Sequence, residues 1–297
     1  MVISPHMDSI PTVSSKLETQ EVTLLIQRLL MERAKRFLSL ARWCQILVLV
    51  IGILTTILHQ DPIGVILVAS LLTLISVLSQ WYSDYLKGQC QRILRIFEYW
   101  NGLGTPPTER EISDITLKQD LTEKQIAQLA RDVQSYFSST QPPSPRRLLE
   151  NLVESSWWTH YVAARTAQFF LFFSCVIFAS SVSVLVITVS TAPDRSLGEV
   201  VARSVVLVLM FLFSSGYFRL TIDYYLLSRD ACQIEINACA LLKAKRINKS
   251  DALILCHEYQ VRRATAPMLP TFAWKRERLR LNTNWSVYRQ KEFSKPE

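Results

Sequence analysis

Apolar positions along this chain gather into four runs, and polar positions into the blocks between them. Trp43–Leu58, WCQILVLVIGILTTIL, is uncharged and lies between Arg42 and His59. As helix it spans about 24 Å, slightly short of a hydrocarbon core of about 30 Å. The flanking Arg42 can extend that reach by snorkelling. A second run, Ile63–Trp81, follows the break His59-Gln60-Asp61-Pro62, so the two form a membrane hairpin. Runs near 167–189 and 204–218, joined through Ala192-Pro193-Asp194, repeat the device. The pattern predicts an all-α, polytopic membrane protein, with four transmembrane helices in two hairpins and a helical cytoplasmic domain.

The helical period continues beyond the runs. Residues 1–18 read as a mobile arm. From about Thr19, Val22, Leu25, Ile26, Leu29, Leu30 and Phe37 fall near one face, while Glu21, Arg28, Glu32, Lys35 and Arg36 fall near the other. No breaker separates this stretch from the first run, so one helix from about 20 to 58 is the simplest reading; a helix lying flat on the membrane is the alternative. After Trp81 the second helix continues to Trp100, with Asn101-Gly102 as its expected left-handed cap. Matched arms at 20–58 and 62–100 place their apolar faces where they can zip together. The insert 101–145 carries capping boxes at Thr108/Glu111 and Thr122/Gln125. It closes with Ser144-Pro145, an N-cap followed by proline at the first helical position.

Residues 146–247 hold the second hairpin and its helical extension, with Trp157 and Trp158 expected as headgroup anchors beside Trp43 and Trp81. A helix near 251–263 follows Ser250. Pro267 and Pro270 are expected to end the helical part, which leaves a basic, aromatic tail within the C-terminal region 248–297.

Charge orients this layout. Residues 1–42 carry six basic and four acidic side chains, 82–165 ten of each, and 229–297 fourteen basic and seven acidic. The short connections 59–62 and 190–199 are net acidic. By the bias of Lys and Arg near span ends, both termini and the 82–165 connection are expected in the cytoplasm, and the first span serves as its own insertion signal. A bacterial inner membrane is the expected location. None of the six cysteines falls in an outer loop, so no disulfide framework is expected.

No enzyme motif appears. Seven glycines form neither a phosphate-binding loop nor a dinucleotide fingerprint. The four histidines lack metal-ligand spacing, so neither metal nor cofactor is expected. Polar residues inside the spans are the better lead. Ser70, Thr73, Ser76 and Gln80 share one flank of the second helix, and Ser174 and Ser181 recur seven apart on the third. Such stripes line a water path or let helices pack closely, and both readings stand. Arg203 either snorkels outward or faces an aqueous vestibule. Arg219 and Asp223, spaced i,i+4, could pair at the inner mouth as a gating pair. In the tail, Arg262, Arg263, Trp274, Lys275, Arg276, Arg278 and Arg280 supply positive charge and a stacking face. They suit either a nucleotide or anionic lipid headgroups.

Two membrane hairpins, long helices projecting from them, an insert between spans two and three, and a closing segment from Ala266-Pro267-Met268-Leu269-Pro270 to Asn282-Thr283-Asn284-Trp285 together form a recognisable layout. It resembles the four-transmembrane effectors of bacterial anti-phage systems associated with SMODS nucleotidyltransferases. That resemblance implies a pore-forming or membrane-disrupting effector, controlled by a nucleotide that a partner nucleotidyltransferase makes. An oligonucleotide-responsive channel of the Hailong type is a close variant. It covers architecture and tail and carries no ligand residues with it. The resulting expectation is a homo-oligomeric channel in the lipid bilayer, because four spans make too thin a bundle for a private pore, with a tetramer favoured. A membrane-anchored scaffold recruiting a soluble partner is the rival. A small transporter ranks third, because neither hairpin reads as containing a Gly- or Pro-broken span.

The topology is testable by substituted-cysteine labelling. Membrane-impermeant reagent applied to intact cells should label a cysteine at Ser196 and miss one at Ser294; labelling at Ser294 refutes the inside placement of the tail.

Overall fold

A computed structural model describes residues 20–58, 63–117, 136–191 and 195–293. The arm 1–18, the turn 59–62, the second capping box at Thr122/Gln125 and the connection 192–194 lie outside the described residues. Eight helices account for the fold among those described: α1 (Gln20–Leu58), α2 (Ile63–Leu103), α3 (Glu109–Leu117), α4 (Pro145–Thr191), α5 (Arg195–Ser214), α6 (Tyr217–Lys243), α7 (Lys249–Thr265) and α8 (Thr271–Phe293). The fold is all-α, and four stretches are long and apolar enough to cross a membrane. The chain is a multi-pass membrane protein.

α1 and α2 run through their apolar stretches into the extramembranous part without a break, over about 58 and 62 Å. They are joined by a ladder of small polar side chains. Ser76 Oγ donates to the Ala41 carbonyl at 3.1 Å, Ser83 Oγ to the Ala34 carbonyl at 2.7 Å, and Cys90 Sγ to the Gln27 carbonyl at 3.2 Å. Donors and acceptors each recur every seven residues, in opposite directions, so the helices are antiparallel and in fixed register. A seven-residue repeat keeps one seam facing its partner as the helices supercoil. Ala34, Ala41, Ser83 and Cys90 are buried, and their small side chains let the backbones approach. Val22, Ile26, Leu30, Leu86 and Ile93 flank the extramembranous part of the seam.

The second helix ends later than expected. It continues to Leu103, and Gly104, at φ +70°, is the left-handed residue whose N–H returns to the Trp100 carbonyl at 2.9 Å. Gly102 is inside the helix and serves contact instead: a Cβ there would stand 2.7 Å from Leu148 Cδ1 and 3.0 Å from its Cα. This close approach, with the Asn151–Asn101 hydrogen bond at 2.8 Å, docks α4 on the end of α2. The expected caps form at Thr108, where Glu111 and Thr108 bond reciprocally, and at Ser144, whose Oγ accepts from the Arg147 N–H at 3.2 Å.

α4 pairs along much of its length with α6, and with α7 and α8 they enclose the main core. Leu148, Leu149, Val153, Trp157, Ala238, Tyr259, Leu281 and Trp285 are buried there. Two expectations change here. Trp157 is a core residue rather than a headgroup anchor, packed on Trp285 with ring centroids 5.3 Å apart, and Trp158 is half-buried at the core's edge against Trp274 at 4.9 Å. Trp43 and Trp81 do remain exposed at the ends of their runs. Nor do Pro267 and Pro270 end the helical part. The Pro270 carbonyl accepts from the Ala273 N–H at 3.2 Å and opens α8, because a proline just before a helix loses nothing there. The cap of α7 is Asn248, whose side chain accepts from the Ser250 N–H at 3.1 Å.

Within the apolar runs, α1 touches α2 on one side and α5 on the other, and α5 touches α4. These contacts link the spans in the order two, one, four, three. In the most apolar stretch of each, only 11 to 17% of residues are buried, which leaves most of their surface to lipid or to neighbouring subunits.

The seam can be tested at Ser83. Ser83→Ala should lower stability in detergent by about 1 kcal/mol, for one lost hydrogen bond, and Ser83→Leu by about 1–3 kcal/mol more, for overpacking. Gly64→Ala, where a Cβ meets nothing within 4 Å, should leave the thermal midpoint unchanged or raised.

Candidate functional site

Outside the apolar runs, three helices converge on one buried ion pair. Arg263 Nη1 of α7 donates to Glu98 Oε1 of α2 at 2.8 Å, and Gln260 Nε2 donates to Glu98 Oε2 at 2.8 Å. The two charged side chains are only 13% and 7% exposed. Arg263 Nε also donates to Gln91 at 3.0 Å, and its guanidinium lies 5.1 Å over the Tyr259 ring. Tyr259 carries the network into α4: its hydroxyl donates to the Ser155 carbonyl at 3.0 Å and lies 2.7 Å from Thr159 Oγ1. Burial alone would lower the pKa of Arg263, but the Glu98 carboxylate outweighs it and holds the guanidinium charged. Burial raises the Cys256 thiol beside the pair, so it stays protonated. The helices that continue into spans two and three are therefore fastened to the C-terminal part through a largely buried charge pair.

A second feature lies within the runs. An open groove of about 660 Å³ is floored by Gln45, Gly52 and Thr55 of α1 and walled by Ser70 and Thr73 of α2 and Ser214 of α5. Its hydroxyls are mostly satisfied inside their own helices: Thr55 Oγ1 donates to the Gly52 carbonyl at 2.9 Å and Thr73 Oγ1 to the Ala69 carbonyl at 2.8 Å. That is the arrangement a polar group needs where no water is guaranteed.

Beside the groove, span four is broken, which corrects the expectation of unbroken spans. Gly216 takes φ +74°, a left-handed conformation that suits glycine, and α5 gives way to α6. The Ser215 carbonyl freed there accepts from Arg42 Nη1 at 2.9 Å, and the Arg42 guanidinium sits 5.4 Å over the Tyr217 ring. Arg42 is thus a clasp between spans one and four as well as a flanking charge. A lone glycine after Ser214-Ser215 in an apolar helix carries little warning of a break.

The residues singled out from sequence are dispersed. In the span-two stripe, Ser76 is turned into the α1 seam, Ser70 and Thr73 face the groove, and Gln80 is exposed. Ser174 and Ser181 are buried within the subunit. Ser174 sits beside Phe173, whose ring packs on Tyr217 at the height of the break, and its hydroxyl has no partner among the described residues. Arg219 and Asp223 approach to 3.7 Å, with Arg219 86% exposed, a pair too solvated to hold a gate by itself. Arg203 pairs with Glu199 one turn away. In the tail, Arg262 pairs with Asp230 at 3.0 Å, Arg263 with Glu98, and Arg280 with Glu277. Trp274 covers Trp158, and Lys275, Arg276 and Arg278 stand exposed on α8. Sequence reasoning missed Glu98, Gln260 and Gly216. Glu98 had a signal: it is a carboxylate directly after Phe97 on an otherwise apolar face, Ile93-Leu94-Phe97.

Comparison with protein-family models, with curated proteins and with solved structures finds no match to this chain.

The ion pair gives a sharp stability test. Glu98→Ala leaves Arg263 charged and unpaired in the core and should cost about 3–5 kcal/mol, whereas Glu98→Met combined with Arg263→Met should recover most of that loss. Thermal unfolding of the purified variants measures both.

Proposed function

We propose that this protein is a homo-oligomeric membrane channel, acting as an effector in anti-phage defence. In this reading its cytoplasmic helices receive a nucleotide or oligonucleotide signal from a partner nucleotidyltransferase. The observation that carries it is mechanical. α1, α2 and α4 each run unbroken from an apolar stretch into packed extramembranous structure, α2 and α4 at the main core and α1 along its seam with α2, which supports a coupling between that part and the spans. The exposure of the spans supports assembly, since a subunit whose spans are so little buried offers wide flanks for close packing against copies of itself. A tetramer is favoured.

The scaffold reading has one observation in its favour. Ile236, Ile254 and Leu279 are large, apolar and exposed outside the runs, where a soluble partner could cover them. A transporter gains a broken span but not its position. The break at Gly216 is level with Arg42, at the end of the apolar run, whereas broken transporter helices place their gap near the bilayer midplane.

Purified protein in detergent should be a closed oligomer, and liposomes containing it should pass ions in response to an oligonucleotide. Thr73→Leu should then cut conductance while leaving oligomer mass unchanged, because it adds an apolar side chain to the groove wall. A strict monomer that conducts under no ligand puts the scaffold reading in front.

A further inference from the structure

A second concavity, of about 170 Å³, lies between α2 and α7, and its lining is cationic. Gly88, Gln91, Arg92 and Arg95 come from α2, His257 and Gln260 from α7. Spacings of three, four and seven residues place Gly88, Arg92 and Arg95 on one face of α2. Gly88 leaves room there, since a Cβ at that position would meet nothing within 4 Å. Two arginines side by side on one helix repel each other. The nearby carboxylates do little to offset this. Asp114 of α3 reaches Arg92 at only 3.5 Å, with both side chains about 40% exposed. Glu98 is committed to Arg263 and Gln260, and Glu258 faces Arg262 at 3.8 Å. Arg95 has no ion-pair partner among the described residues.

We infer that this pocket is a binding site for a phosphate group of a soluble nucleotide or oligonucleotide. Arg92 and Arg95 supply planar, charge-assisted donors suited to phosphate oxygens, and His257 supplies an N–H donor from the facing helix. The volume sets the size of what enters. It falls below the roughly 300–1,000 Å³ that holds a drug-sized molecule, so a phosphate is taken in and the base stays outside. Its position favours a soluble ligand over a lipid headgroup. Gly88 and Arg95 stand about 10 and 21 Å of helix beyond Trp81, past the roughly 5–8 Å of headgroup layer flanking the hydrocarbon core.

Occupancy would act on the helices already described. α2 leads into span two, and the end of α7 is already tied to it by Lys87 Nζ, which donates to the Ala264 carbonyl at 2.7 Å and to the Ala266 carbonyl. A phosphate bridging Arg92, Arg95 and His257 tightens that clamp, and it competes with Asp114 for Arg92, which loosens α3 from α2. The site deepens the nucleotide-gating reading and rests on it for the source of the phosphate, but binding can be measured apart from conductance.

The experiment titrates full-length protein in zwitterionic nanodiscs with pyrophosphate, followed by calorimetry and by the thermal midpoint. Saturable binding is expected, weakened about tenfold or more by Arg95→Gln and by Arg92→Gln, as for loss of a charge-assisted contact. Asp114→Asn should tighten it, and Arg246→Gln, an exposed residue elsewhere, should leave it unchanged. Wild-type affinity in both pocket variants, or no saturable binding in correctly folded wild-type protein, overturns the site. A second arm repeats the titration in phosphatidylglycerol nanodiscs at matched ionic strength. Retained affinity supports a soluble ligand, and abolished affinity reassigns the pocket to lipid headgroups and overturns the proposal. Pyrophosphate binding without oligonucleotide-driven conductance counts against the channel and for the site. Conductance unaltered by Arg92→Gln and Arg95→Gln counts against the site and for the channel.

Discussion

Ser76, Ser83 and Cys90, each donating to a carbonyl of the opposing helix seven residues further along, hold α1 and α2 at a separation that larger side chains would not permit. Much of the remaining structure depends on that ladder. It crosses from the apolar run into the extramembranous part without changing register, so the hairpin is one stiff object rather than a membrane piece joined to a soluble piece. Met268, in the linker before α8, packs into the apolar side of the same seam, and Tyr224 holds the linker in place by donating to the Met268 carbonyl at 2.6 Å. The C-terminal segment is therefore registered against the first hairpin by the seam's own surface.

The second hairpin is fastened differently. α4 and α6 meet through His160, whose Nδ1 lies 2.9 Å from the Ser228 carbonyl, and through the buried alanines Ala163, Ala231 and Ala238. Tyr288 of α8 reaches across to donate to Glu235 at 2.8 Å; its burial, first, and then its hydrogen bonds hold the hydroxyl protonated. Contacts that join the first hairpin to the rest of the chain include the Gly102–Leu148 approach, the Glu98–Arg263 pair and the Arg42–Ser215 clasp. The first two lie in the extramembranous part, the third at the mouth of span four. Motion of the first hairpin relative to the rest of the chain has to strain or break contacts of this kind.

The break at Gly216 sharpens this picture. A continuous span four would have carried its extension rigidly, as spans one to three do. Instead the helical hydrogen bonding is interrupted at Gly216, and Arg42 of the first hairpin supplies a hydrogen bond that the broken helix lacks. The groove beside it is bounded by α1, α2 and α5, so the joint and the cavity share neighbours.

Hydropathy and charge alone determined that the chain is all-helical, that it crosses the membrane four times in two hairpins, that its first arms pair, and that Thr108 and Ser144 cap helices. These features follow from local quantities: the length of an apolar run against bilayer thickness, and the hydrogen bonds of a helix end with its own neighbours. Tertiary structure alone decided how the polar residues are used. Ser76 and Thr73 look alike along the helix, yet one bonds across a seam and the other faces a groove, because a helix's neighbours are set by three-dimensional packing. The basic tail read as one surface, but Arg263 is buried on Glu98 while Trp274 packs one face on Trp158 and leaves the rest exposed, since its residues divide between two helices separated by Pro267 and Pro270. The pocket of Arg92, Arg95 and His257 joins residues more than 150 positions apart, and no spacing in the sequence records that α7 folds back onto α2.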